Sequence, residues 1–190
     1  MAKREVLVSV DVEASGPSPG TGSLIAIGAC LVDDPETGFY RELRPIEGLP
    51  WEASAEVVHE LSRDHLAVEG SDPEAAMAAF AAWLDEVAPK GSVPVFVGFN
   101  APFDWMFVAD YFHRFLGRNP FGVSAIDLKS VYMGRHGVRD WAETTKRHVL
   151  AVHPVPRIHT HNALDDARMQ AELATELLGR SADARAESRG

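Results

Sequence analysis

The chain has a single cysteine, Cys30, in 190 residues. One thiol forms no intramolecular disulfide and excludes a zinc site built on several thiolates. Cys30 sits in the apolar run LIAIGACLV, the setting of a buried structural thiol rather than a reactive one. Long apolar runs are also missing. The stretches present are much too short to cross a bilayer, so no membrane partner is expected. MAKREVLV runs straight into a strand pattern without a signal-peptide signature, and a cytoplasmic protein is expected. Positive charge is scarce: 18 Lys and Arg stand against 28 Asp and Glu, a formal net charge of −10. That excludes a broad basic face for gripping duplex nucleic acid. It leaves room for a small site where bound cations face phosphate.

What remains is ordinary for a globular protein, with 46% hydrophobic and 24% charged residues. One domain is expected over residues 1–180, followed by a tail, SADARAESRG (181–190), expected to be disordered because it has little to bury. Residues 5–12 read as a central strand, with valines at 6, 8, 10 and 12 on one face and Leu7 and Ser9 on the other. ASGPSPGTGS is a loop. Strands are predicted at about 24–32 and 39–44, with a turn at DDPETG, and this close spacing suggests an antiparallel meander. One or two short helices are predicted within 45–70. The next helix is capped by Ser71 or Asp72 and carries a core stripe of Met77, Phe80, Leu84 and Val87. A fourth strand covers 93–99. Asn100 is placed to cap the helix after it, where Phe103, Phe107, Tyr111 and Phe115 recur every four residues. SAIDLKSVYM is a fifth strand passing into a helix, WAETTKRHVL another helix, AVHPVPRIHT a loop, and HNALDDARMQAELATELLG a final long helix.

Acids gather where strands end. Asp11 and Glu13 lie two apart on the first strand and therefore share a face. Two like charges so close resist desolvation, and a divalent cation is the simplest compensation. Asp104 lies in the first turn of a helix that follows a strand, and Asp165 and Asp166 near the start of the last helix. Taken singly, each of these three also suits the helix dipole.

Taken together, DVEASG with Asp11 and Glu13, GFNAPFD with Asp104, and HNALDDA with His161 and Asp166 resemble the DnaQ-like branch of the DEDD 3′→5′ exonucleases. The resemblance runs from about residue 5 to 179. It implies an α/β, ribonuclease-H-like fold, a five-stranded mixed sheet flanked by helices. It also implies two divalent cations, Mg²⁺ or Mn²⁺, held by Asp11, Glu13, Asp104 and Asp166, with His161 as general base. Helical spacing alone would pair His161 with Asp165, four residues on; the resemblance selects Asp166.

The implied substrate is the 3′ end of single-stranded DNA or RNA, cleaved to nucleoside 5′-monophosphates. His59, in VVHELS, is implied near the substrate. Ser15 and Gly16 could offer backbone N–H groups, Phe103 a stacking face, and Asn100 a contact beyond its capping role. The family's threonine pair after the glutamate is here Ala14 and Ser15. An exoribonuclease restricted to RNA 3′ tails or short oligonucleotides, and an inactive nucleic-acid-binding module of the same fold, are the alternatives. Homodimerisation and association with a polymerase are both left open.

Overall fold

The computed structural model describes residues 3–52, 56 and 61–180. His59 and the 181–190 tail lie outside the described residues. Five strands form one mixed sheet in the order β3-β2-β1-β4-β5. They are β1 (Arg4–Ala14), β2 (Leu24–Leu31), β3 (Asp34–Glu42), β4 (Ser92–Gly98) and β5 (Ala125–Asp127). The first three make the expected antiparallel meander, and β4 and β5 join β1 in parallel.

The alternation of β1 sets two cores. Val8, Val10 and Val12 pack towards α2 (Pro73–Val87) and α3 (Ala101–Leu116), against Met77, Phe80, Phe107 and Tyr111. Leu7, with Cys30 and Val97, packs towards α4 (Leu128–His136), α5 (Lys146–Val152) and α6 (Ala163–Leu177), against Tyr132, Val149 and Leu173. A short α1 (Arg63–Glu69) precedes α2, with Ser62 as its cap. Burial pushes the Cys30 thiol up to about 12, as suits a structural cysteine.

Four local expectations differ from the structure. DDPETG is not a loop: the turn tightens to Val32–Asp33 and β3 already begins at Asp34. WAETTKRHVL is not one helix. A 3₁₀ turn (Trp141–Thr144) ends at Thr145, whose extended backbone and hydroxyl start α5 afresh by accepting from the His148 N–H. The last helix starts at Ala163, because Asn162 accepts from the Leu164 and Asp165 N–H groups. Asn100 does not cap α3 with its side chain. It adopts a left-handed conformation, φ 67°, and Asp127 at the end of β5 accepts the Ala101 N–H at 3.1 Å instead.

Candidate active site

β1 and β4 both end at the same edge, the carboxyl edge where ligands bind in open α/β sheets. β4 stops at Gly98, so the last residues of β1 have no partner on that side. Asp104, in the first turn of α3, fills the gap: its Oδ1 accepts the Val12 N–H at 3.0 Å. Asp104 is 4% exposed. From the other side of the sheet, α6 lies directly on Gly28, the β2 partner of Asp11. A Cβ at Gly28 would come within 2.0 Å of the Ala163 carbonyl carbon, so only glycine lets α6 begin this close to the sheet. That approach delivers Asp166, 1% exposed, to the carboxylates of β1.

Carboxylate oxygens of Asp11, Glu13 and Asp166 lie within 4.8 Å of one another. They open, with Asp104, into a cleft of about 230 Å³ also lined by Phe99, Asn100, Phe103, His159 and His161. A larger depression of about 440 Å³ lies at the other end of α6, between Val32, Pro154, Glu172 and Arg180, but chemistry rather than volume marks the site. Burial, then the Asp166 charge, pushes Asp11 up to about 7, against the opposing pull of Lys146 and a hydrogen bond from Gln170. Burial and the Asp11 and Asp166 charges push Glu13 up to about 8, again opposed by Lys146. Asp104 is pushed well above the carboxylate range, first by burial and then by Asp11.

These are hard oxygen donors crowded together without a matching positive charge among themselves. Asp166 Oδ2 is buried and, among the described residues, receives no hydrogen bond; His159 Nδ1 lies 2.8 Å away, off the line of one. An orphaned carboxylate oxygen facing two further carboxylates fits a divalent cation.

Not every sequence candidate reaches the cleft. Asp165 is turned away and meets Arg168 at 3.4 Å, with 48% of its side chain exposed. His161 has a left-handed backbone, φ 58°, and stands at the cleft two residues before α6 begins. Phe103 serves both core and cleft, packing edge-on to Phe107 at 5.3 Å. Ser15 and Gly16 do not line the cleft. The Ser15 N–H donates to Ser23 O, its Oγ accepts the Ser23 N–H, and Gly16 packs against Thr21 and Gly22. The Ser15 N–H is therefore used to close the loop.

Gln170 and Lys146 escaped sequence reasoning, and so did the place of His159 beside Asp166. Gln170, buried on α6, accepts the Phe99 N–H at 2.8 Å and donates to Asp11 Oδ1, so it ties the strand end to the helix. Helical spacing from Asp166 (i, i+4) was the available signal. His159 comes against Asp166 because the loop before α6 folds back, with the Thr160 N–H donating to Asp166 Oδ1 at 3.0 Å. Its basicity is lowered by burial and by Lys146. Lys146, at the start of α5, acts electrostatically on Asp11, Glu13 and Asp104, and no motif in its own neighbourhood signals this.

A family model described as Exonuclease (RNase_T) matches residues 8–174. The chain is 45% identical over 170 residues to the 3′-5′ DNA exonuclease Cap18 of Escherichia coli, covering 90% of each. In fold it is similar to the nuclease domain of 3′hExo, a DEDDh family member bound to rAMP, with TM-score 0.73, 17% identity and 93% and 92% of the two chains covered. It is also similar to E. coli ExoI in a complex with ssDNA, with TM-score 0.74, 15% identity, 97% of this chain and 43% of that one. The chain belongs to the RNase_T exonuclease family.

Proposed function

We propose that this protein removes nucleotides from the 3′ end of single-stranded DNA, using two divalent cations, Mg²⁺ or Mn²⁺, and releasing nucleoside 5′-monophosphates. The observation that carries this is the convergence of Asp11, Glu13 and Asp166 within 4.8 Å, backed by Asp104 and flanked by His161. DNA is put before RNA because the curated relative is named a DNA exonuclease. Bound divalent ions would offset the phosphodiester's charge and make a water molecule a better nucleophile.

The chain's own residues do the rest. Asp11, Glu13, Asp104 and Asp166 would hold the ions, and Asp104 also supports the end of β1 by accepting the Val12 N–H. Gln170 fixes the Asp11 carboxylate. The His161 imidazole takes the proton from the attacking water, as a general base at the edge of the cleft would. Phe103 and Asn100 line the cleft where the terminal nucleotide would sit. The cytoplasm is the proposed location, since the lone buried thiol suits a reducing compartment.

The test is a panel of 5′-labelled DNA and RNA oligonucleotides, single- and double-stranded, with Mg²⁺ or Mn²⁺. Fastest shortening is expected on single-stranded DNA. Exclusive attack on RNA would replace DNA with RNA as the substrate, and internal cuts would contradict an exonuclease.

A further inference from the structure

The two rims of the cleft differ in charge. Beyond Glu13 the sheet continues across Ala26 to Glu42, which accepts from Tyr40 Oη at 2.9 Å and meets His65 at 3.2 Å. Burial first, then Glu42 and Glu13, raise the pKa of the Tyr40 hydroxyl; the two carboxylates themselves make this rim acidic, so it repels a phosphate backbone. The opposite rim carries lysines. Lys129 Nζ lies 3.5 Å from Oδ1 of Asn100, a cleft-lining residue. The same Nζ stands 4.1 Å from the centroid of the Trp141 ring. Lys146 Nζ lies 5.9 Å from the ring centroid of Phe99, another cleft-lining residue.

Trp141 is 51% exposed. Its backbone is held in place: Trp141 opens the 3₁₀ turn, and the Thr144 hydroxyl donates to its carbonyl at 2.7 Å. Lys129 covers part of the ring and leaves the rest to solvent. A half-exposed indole partly covered by a lysine that itself reaches the cleft-lining Asn100 matches the aromatic-plus-cation surface used for single strands. The chain's net charge of −10 makes such a local basic rim the natural exit for a polyanion.

We propose that the single strand leaves the cleft over Asn100 and Lys129, and that a base upstream of the cleaved nucleotide stacks on the open part of Trp141. Lys129 and Lys146 face the intervening phosphates. The inference rests on the exonuclease reading and adds to it a subsite that favours unpaired DNA, because a base held in a duplex has no free face to offer the ring.

The test uses the full chain with Mn²⁺, a set of single-stranded hexanucleotides each carrying one abasic position, and Trp141→Ala. In the wild type, removing one particular upstream base should raise KM about tenfold, the scale of one lost base–aromatic stack. In Trp141→Ala the intact strand should already show that increase, the same abasic position should add little, and Trp141→Phe should restore most of the loss. Lys129→Ala should flatten the salt dependence of log KM by about 0.7, one phosphate contact on a single strand. An abasic profile identical in wild type and Trp141→Ala overturns the subsite, as does a Trp141→Ala defect confined to kcat. A wild type inactive on the intact hexanucleotide overturns the exonuclease reading itself, and the subsite with it.

Discussion

Asp165 and Asp166 are neighbours in sequence and opposites in environment. Asp166 is buried against Asp11 and Glu13, while Asp165 faces outward towards Arg168. A bound ion stabilises a folded protein by about 2.7 kcal/mol at a hundred times its Kd, which for a chain of this size is roughly 5–10 °C in Tm. We expect Mn²⁺ to raise the Tm of the wild type and of Asp165→Asn by similar amounts, and that of Asp166→Asn far less. Thermal melts with and without metal check this, and equal shifts in all three proteins would move the ligand away from Asp166. His161 is exposed at the cleft, and in the proposed function it acts in a different step. His161→Ala should keep the Mn²⁺ shift and lose about 10²–10⁴ in kcat, the usual size of a general-base contribution. Full kcat in that variant would remove His161 from the proton transfer. At this scale the sequence was informative where short patterns decide the outcome: Asp11 and Glu13 share a strand face two residues apart. It was silent on Gln170 and Lys146, whose partner Asp11 lies 159 and more than 130 residues away, and on the contact of His159 with Asp166.

The element that sets the site is the contact of α6 with β2. Gly28 makes it possible, and Gly38 on β3 leaves room for the Leu164 side chain of the same helix end. Gly28→Ala would press a methyl into the α6 backbone, costing about 3 kcal/mol or more by overpacking. It should also lift Asp166 from Asp11, so we expect a lower Tm and a weakened Mn²⁺ shift in whatever protein remains folded. An unchanged Tm would mean that α6 is not seated on Gly28. The loop before α6 is tied down as well. Arg157 donates to Glu172 at 2.9 Å and pairs with Glu36, bridging α6 and β3 just ahead of His159 and His161. Strand and helix identities were readable because alternation in β1 and the stripe Met77, Phe80, Leu84 are local periodicities. The group that caps α3 was not, because the Ala101 N–H donates to Asp127, on a strand 26 residues further along. The break at Thr145 was missed for another reason: a capping threonine inside an otherwise helical composition looks like any other helical residue until its backbone turns extended.

Across the whole molecule, the carboxylate cluster opposes folding when no cation is bound. Asp11 is raised from 3.8 to about 7 and Glu13 from 4.5 to about 8 in the folded protein. Folded molecules thus hold protons that unfolded ones have released, and stability falls as pH rises from about 4 to about 8. We expect the Tm of the metal-free protein to decline over that window, and Mn²⁺ to stabilise more at pH 8 than at pH 5, where protons compete for the same oxygens. A metal-induced shift independent of pH would contradict the buried-carboxylate origin of the site. The fold itself followed from the order of motifs along the chain. The sheet order β3-β2-β1-β4-β5 did not follow from periodicity, which carries no information on which strands lie side by side. The central claim is that metal ions held by Asp11, Glu13, Asp104 and Asp166 touch the phosphodiester being cut. It is tested most directly by placing sulfur at a non-bridging oxygen of the 3′-terminal linkage of a 5′-labelled single strand. Release of the terminal nucleotide should slow sharply with Mg²⁺ and recover with the softer Mn²⁺ for one sulfur stereoisomer. Equal rates for oxygen and sulfur linkages with Mg²⁺, or hydrolysis that persists after chelation of all divalent ions, would contradict it.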